Sequence, residues 1–195
     1  ISPRNHFLFT PLLPSTTAGT IEFRSIIEPV RRTRKGIEFI QAEATSLSPE
    51  TRTLGCRTVD KTAEFTIAYD TLLISVGAWN NTFGIPGVKE YAMFLKELSD
   101  ARNIRERVTW CLERADIPGI TPEERRRLLH FVVVGGGPTG VEFAAELGDL
   151  FDEELGRLYP LLKGEVTITL VEGGTSLLNS FDQRLRDYTA RRFQG

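Results

Sequence analysis

The stretch Phe131-Val132-Val133-Val134-Gly135-Gly136-Gly137-Pro138-Thr139-Gly140-Val141-Glu142 constrains the fold more than any other part of the chain. An apolar run of strand length meets a glycine cluster, and a helical pattern starts at once. Gly135, Gly137 and Gly140 fit the G-x-G-x-x-G spacing of a dinucleotide-binding turn. In such a turn the first glycine makes the tight strand-to-helix reversal, and the second lets the backbone approach a pyrophosphate. The third lets the helix pack closely on its strand. Pro138 suits the first helical position, where a missing N–H costs nothing. The free amides of Thr139 and Gly140 then point at the phosphates, whose charge the helix dipole favours. The plain alternative is a glycine-rich turn that only packs, and the strand–turn–helix context favours the nucleotide site.

The following residues extend the pattern. Val141, Ala144, Gly148, Phe151, Leu155, Leu158 and Leu162 recur at spacings of three and four, which predicts one buried helical face. Pro160 should kink or end that helix, with Lys163 and Gly164 as stop signals. Val166-Thr167-Ile168-Thr169-Leu170-Val171 reads as the next strand and closes on Glu172. An acid there accepts hydrogen bonds from the adenine ribose hydroxyls. Glu172 lies further from the glycines than the usual spacing of roughly 20 residues, which an elongated crossover helix accounts for. The alternative is a solvated glutamate at a strand end. No Arg or Lys stands between Glu172 and Arg184, so a 2′-phosphate finds no partner in that stretch and NADH is expected over NADPH.

Earlier in the chain, residues 7–14 are apolar and twice interrupted by proline, too broken for a long helix or a central strand. Ser25 can cap a short helix through about Arg34. Residues 36–42, 52–59 and 64–69 alternate like strands, with a turn around Asp60-Lys61-Thr62, and predict a small antiparallel layer. Residues 69–78 read as a buried strand ending in Gly77-Ala78, and ligands settle at such strand ends. Leu98, Ala101, Ile104, Val108, Cys111, Leu112 and Ala115 mark one face of a helix that Pro118-Gly119 ends. Thr121-Pro122-Glu123-Glu124 starts another, and a last helix begins near Asp182.

A content of 41% hydrophobic and 26% charged residues is that of an ordinary globular domain. Net charge is −2 and the basic residues are dispersed, so the clusters at 31–35 and 125–127 read as solvated helix faces and no nucleic-acid partner is expected. Cys56 and Cys111 match neither a C-x-x-C pair nor metal-ligand spacing. His6 and His130 are the only histidines and have no ligand partners in sequence, so no metal site is expected. The start at Ile1, without an initiator Met or a targeting pattern, leads us to expect a piece of a longer protein.

Taken together, the glycine loop with Phe143-Ala144-Ala145-Glu146-Leu147, the strand closing on Gly77-Ala78, and Phe9-Thr10-Pro11-Leu12-Leu13-Pro14-Ser15 resemble type II NADH dehydrogenases. These are single-subunit, non-proton-pumping NADH:quinone oxidoreductases of the two-dinucleotide flavoprotein superfamily. Asn81-Thr82-Phe83 before Ile85-Pro86-Gly87-Val88 extends the likeness along nearly the whole chain. The resemblance implies an α/β fold with Rossmann-type parallel sheets and a small antiparallel layer, incomplete at both ends. Residues 1–94 belong to the FAD-binding domain, 95–129 form a helical connector, and 130–195 begin the NADH-binding domain. It implies that Thr10, Pro11 and Leu12 lie near the isoalloxazine and that Ala44 meets the adenine end of FAD. It further implies that Val76, Gly77 and Ala78 line the flavin site, and that Gly135, Gly137, Thr139, Gly140 and Glu172 hold NADH. Glu142 is expected at the nicotinamide–flavin junction as the candidate catalytic residue, although an acid in a first helical turn is favourable without any ligand.

The implied partners are a quinone acceptor and a membrane surface, reached through a region outside these residues, with a homodimer left open. The implied place is the mitochondrial inner membrane, or the bacterial one, bound peripherally. The resemblance places the first FAD-gripping glycine loop before Ile1, so residues 1–195 alone are expected to lack FAD and to be inactive. Two other readings stand beside it: a non-catalytic NADH-binding fragment, and another FAD/NAD-dependent reductase of the superfamily. A disulfide reductase among these needs a cysteine pair that the spacing of Cys56 and Cys111 does not offer.

Overall fold

The structure, a computed structural model, describes residues 1–33 and 35–193 and, of Leu155, only the backbone. In chain order the elements are β1 (His6–Leu8), α1 (Leu13–Ala18), β2 (Ile27–Pro29), α2 (Val30–Thr33), β3 (Ala42–Ser48), β4 (Thr53–Thr58) and β5 (Glu64–Ala68). There follow α3 (Val88–Tyr91), α4 (Leu98–Ala115), α5 (Pro122–Leu128), β6 (His130–Val134), α6 (Pro138–Leu150), α7 (Gly156–Leu158), β7 (Thr167–Val171) and α8 (Gln183–Phe193). The chain divides into two units, one of Ile1–Leu8 with Ile27–Gly84, the other of Phe9–Ile26 with Ile85–Gly195.

In the first unit β1 and β2 pair antiparallel, and β3, β4 and β5 form a three-stranded antiparallel sheet in that order. The turn before β5 forms where Asp60 Oδ1 accepts from the Thr58 and Thr62 hydroxyls and the Thr62 amide. These bonds hold the Asp60 carboxyl below its ordinary range, the Thr58 hydroxyl contributing most. The expected layer is therefore present, with a shifted member. Residues 36–41 make no strand, and β3 starts at Ala42, opposite Thr58. Alternation alone did not locate it, because a strand exists only where a neighbour accepts its backbone bonds.

The same principle overturns a larger expectation. Residues 69–78 are not a buried strand: they carry no ladder, with Leu73 and Val76 each 88% exposed and Trp79 95% exposed. Among the described residues no strand pairs with them, so their apolar run stays extended and uncovered. Ser25 does not cap a helix either. It sits inside a 3-10 turn, Phe23–Ile26, and the helix that follows Pro29 is only Val30–Thr33. Arg34, the expected end of that helix, lies outside the described residues.

The second unit holds a core in which α4 contributes Ile104, Val108, Cys111, Leu112 and Ala115, and α6 contributes Leu147. Leu128, Leu129, Leu162 and Phe151 complete its buried members. The face read from the sequence of α4 is the buried one throughout. Its N-terminus is closed by a capping box between Glu97 and Asp100, whose Oδ2 accepts from the Glu97 amide at 2.8 Å. Thr121 caps α5 by accepting from the Glu124 amide at 3.2 Å, with Pro122 in the first helical position. The crossover after α6 is less regular than its sequence predicts. The helix widens to a π-type turn over Phe151–Leu155, continues as α7, and ends in a 3-10 turn at Pro160–Leu162. The wider turn rotates the face that follows it, so Leu158, expected on the buried side, is 58% exposed. The Leu155 side chain, assigned to that face, lies outside the described residues.

β6 and β7 run parallel, in register from His130 opposite Thr167 to Val134 opposite Val171. They are the only parallel pair among the named strands of the described residues. No helix of the described residues is long and apolar enough to cross a membrane. Cys56 and Cys111 are both buried and free. Burial pushes the Cys111 thiol up, against the pull of Arg107 and Arg127, so it is a poor nucleophile.

Candidate dinucleotide site

The glycine loop joins β6 to α6. Gly135 has φ +112°, a conformation that side chains rarely adopt, and its amide extends the parallel ladder by donating to the Val171 carbonyl at 2.8 Å. A Cβ on Gly140 would overlap the Gly135 carbonyl oxygen, so that position must be glycine for the helix to start here. Gly137 is the N-cap of α6, in extended conformation, and a Cβ there would point into open space. Its requirement is therefore not internal packing; the space in front of it is free for a ligand. Pro138 occupies the first helical position, and the Val141 amide bonds the Gly137 carbonyl at 3.0 Å. The amides of Thr139 and Gly140 are left without an intrahelical acceptor at the positive end of the helix.

Glu172, at the end of β7, closes the other side. Its Oε2 accepts from the Gly136 amide at 2.5 Å and its Oε1 from the Gly174 amide at 2.6 Å. These bonds, the one from Gly136 first, hold the carboxyl below its ordinary range. The chain then returns to the loop: the Leu178 amide, at φ +52°, donates to the Gly136 carbonyl at 2.7 Å. Gly136 is thus the residue that sequence reasoning passed over. It is buried, and a Cβ there would meet Leu177 Cδ2 at 2.6 Å and Glu172 Cβ at 3.0 Å. Its place between two spaced glycines was the only signal.

One inference from sequence order needs revision. Arg184 is the first cation after Glu172 in the chain, yet the fold folds back Arg186, whose Nη1 donates to Ser176 Oγ at 3.2 Å. A guanidinium therefore bonds the very loop that follows Glu172, because α8 turns back toward it. Sequence distance does not measure this.

Among the other expected residues, Glu142 is exposed on α6 but stands past its first turn, which carries no acid, because the helix starts at Pro138; the favourable first-turn placement expected from sequence does not hold. Thr10, Pro11 and Leu12 form a 3-10 turn that leads directly into α1, in the same unit as the glycine loop. α1 is held against α6 where Ser15 Oγ and Thr20 Oγ1 each donate to the Glu146 carboxylate at 2.7 Å. Its C-terminal end is held by Arg105 of α4, which donates to the Thr16 and Thr17 carbonyls and stacks 4.3 Å over the Phe23 ring. Ala44, Val76, Gly77 and Ala78 belong to the other unit. Ala44 is exposed on β3, beside a bulge that displaces the register before Ser46. Val76 and Ala78 are exposed around Gly77, whose φ is +72°.

Solved structures share this fold. A structure of NDH2 from Plasmodium falciparum in complex with NADH superposes with a TM-score of 0.93 at 39% identity, over 99% of this chain and 40% of that one. The external alternative NAD(P)H-ubiquinone oxidoreductase B1 of Solanum tuberosum mitochondria is 51% identical over 203 residues, which is 100% of this chain and 35% of the potato protein. A probable NADH dehydrogenase of Dictyostelium discoideum is 54% identical over 189 residues, 95% of this chain and 42% of its own length. The chain thus spans well under half the length of these curated relatives. The profile of the family described as pyridine nucleotide-disulphide oxidoreductase matches residues 1–195, and the chain belongs to that family.

Proposed function

We propose that this chain is part of a type II NADH:quinone oxidoreductase, in which NADH reduces FAD and the electrons pass on to a quinone. The observation that carries the reading is the built loop: Gly140 closed by a carbonyl, Gly137 open, and Glu172 anchored beside them. A cradle that a Cβ would fill, facing two free amides, fits a dinucleotide pyrophosphate, and the named relatives are NADH or NAD(P)H oxidoreductases. The same reading assigns 1–94 to the FAD-binding part, 95–129 to a connector and 130–195 to the NADH-binding part, a functional division that differs from the two compact units in that 9–26 and 85–94 cluster with the second.

In this reading Gly135, Gly137, Thr139 and Gly140 bind the NADH pyrophosphate through backbone amides and the helix dipole. Glu172 accepts the ribose hydroxyls and, as a carboxylate, repels a 2′-phosphate. Thr10, Pro11, Leu12, Ala44, Val76, Gly77 and Ala78 contact FAD, which when bound supplies the two-electron acceptor and the relay to quinone. Glu142 lies at the junction of the two cofactors, where its exposed carboxylate is placed to orient the nicotinamide. With both cofactors held there, the chemistry supplied would be a two-electron transfer that balances as NADH + FAD + H⁺ to NAD⁺ + FADH₂, and the protein's contribution would be orientation and exclusion of water.

Peripheral attachment to the inner mitochondrial membrane and pairing as a homodimer belong to the same reading. The first is supported by the mitochondrial relatives, the second by family likeness alone. The test is anaerobic mixing of the complete, flavin-loaded protein with NADH, followed by a soluble quinone. Bleaching of the flavin by NADH and its recovery with quinone are expected. A bound flavin that NADH leaves oxidised would overturn the assignment.

A further inference from the structure

We propose that Glu146 is a positioning residue for hydride transfer, fixing the segment 10–12 against the helix that carries the nicotinamide-side residues. The proposal rests on the functional reading above, and its evidence is a connection within the second unit that the reading does not use. Glu142 and Glu146 stand one turn apart on α6, so they share a face. Beyond Glu142 that face is gripped from α1 and from the turn just past its C-cap Gly19: Ser15 Oγ and Thr20 Oγ1 donate to the two different oxygens of Glu146, each at 2.7 Å. Two bonds to charged oxygens fix both the distance and the rotation of α1 on α6, which a single bond cannot do.

α1 is well suited to transmit that constraint. It spans only Leu13–Ala18, with Leu13, Pro14, Thr16, Thr17 and Ala18 buried, and it follows the 3-10 turn of Thr10, Pro11 and Leu12 without a linker. Arg105 holds its far end through the Thr16 and Thr17 carbonyls. The helix is therefore a short rigid strut, one end carrying the flavin-side turn and one flank locked to the nicotinamide-side helix. Hydride transfer requires the reacting atoms within roughly 3–3.5 Å, and a displacement of about 1 Å can cost about 100-fold. Glu146 touches neither cofactor in this account; it sets the spacing of the groups that do.

The experiment uses the complete, flavin-loaded protein in anaerobic stopped flow, with wild type, Glu146→Ala, Glu146→Gln and the double variant Ser15→Ala/Thr20→Val. The limiting rate of flavin reduction, the NADH dissociation constant, the isotope effect with NADH deuterated at the transferred position and the bound-flavin stoichiometry are read together. Glu146→Ala should lower the limiting rate by about tenfold or more and raise the isotope effect, while the dissociation constant moves by less than about threefold. Flavin stoichiometry should hold. Glu146→Gln should recover most of the rate, since an amide accepts from one hydroxyl and donates to the other. The double variant should match Glu146→Ala, and combining all three changes should add little more. An unchanged rate, or a fall in rate that follows loss of flavin or of NADH affinity, overturns the proposal. Should Glu146→Ala fail to fold, the double variant decides by the same criteria. Wild type that NADH cannot reduce refutes the functional assignment and this proposal with it; wild type that is reduced beside unaffected variants refutes this proposal alone.

Discussion

In the proposed function, Glu172 is the residue that discriminates between nicotinamide cofactors. Its carboxylate already accepts the Gly136 and Gly174 amides, so it is ionised and fixed at neutral pH. A 2′-phosphate would approach it as a like charge, at a cost of several kcal/mol, and each 1.4 kcal/mol is about tenfold. We expect kcat/KM for NADH to exceed that for NADPH by at least roughly tenfold in the complete protein. Glu172→Gln should narrow the ratio. Because Arg186 bonds Ser176 in the adjoining loop, Arg186→Met in that background should widen it again by removing the cation. Equal use of both cofactors by wild type, or an unchanged ratio in Glu172→Gln, would show that Glu172 does not meet the ribose. Gly140→Ala tests the turn itself: a Cβ against the Gly135 carbonyl forces the helix start to move. Equilibrium titration of that variant should show NADH binding lost, whereas Gly137→Ala, with open space around it, should fold normally and bind more weakly.

Helices and strands differ in how much of themselves the sequence displays. α4 and α5 were legible because a buried face, a capping box and a Thr-Pro start are written in consecutive residues. The strand–turn–helix unit at 131–142 was legible for the same reason. Residues 69–78 misled, since a strand needs a neighbour's backbone, and hydrophobicity does not say whether one is present. The start of β3 misled because its register is set by pairing with β4 and by the bulge after Ala44. At the site, the spaced glycines announced the turn, while the Gly136–Glu172 and Ser15–Glu146 bonds did not. Each joins residues distant in sequence, and only the packing of the second unit brings them together. Leu147 was missed, although it stands three residues after Ala144 and four before Phe151, because the face as read from sequence passes through the neighbouring Gly148 in that turn. It is only 1% exposed, and Leu147→Ala should destabilise the second unit by about 2–5 kcal/mol. Thr121→Ala should cost about 1 kcal/mol through the lost cap on α5. Denaturant midpoints measure both, and a larger loss at Thr121 than at Leu147 would contradict the packing described.

At the scale of the whole molecule, pH exposes how the parts are held. Two carboxyls, Asp60 and Glu172, sit below their ordinary ranges because neighbouring hydroxyls and amides bond the charged form. Such groups contribute stability that is complete above their unfolded values and declines as pH falls through the folded ones, so acid loosens the 58–62 turn and the glycine loop. The alkaline side depends on Tyr159, whose hydroxyl donates to Glu113 of α4 at 2.8 Å and ties the crossover to the core helix. Burial first, then the Glu113 carboxylate, push this phenol up from 10.0 to about 12. The sign follows from its neutral form being the one the fold favours. Its contribution is complete below the unfolded value and is lost as pH rises toward about 12. Thermal melting of the polypeptide should therefore hold steady through neutral pH and fall between about 10 and about 12. Tyr159→Phe keeps the ring and removes both the hydrogen bond and the titration, so it should melt lower at neutral pH and lose that alkaline slope. Absorbance at the phenolate band should show in wild type a component titrating at about 12 that is absent from the variant. A variant that retains the full alkaline decline would show that the crossover is held to α4 by something other than this bond.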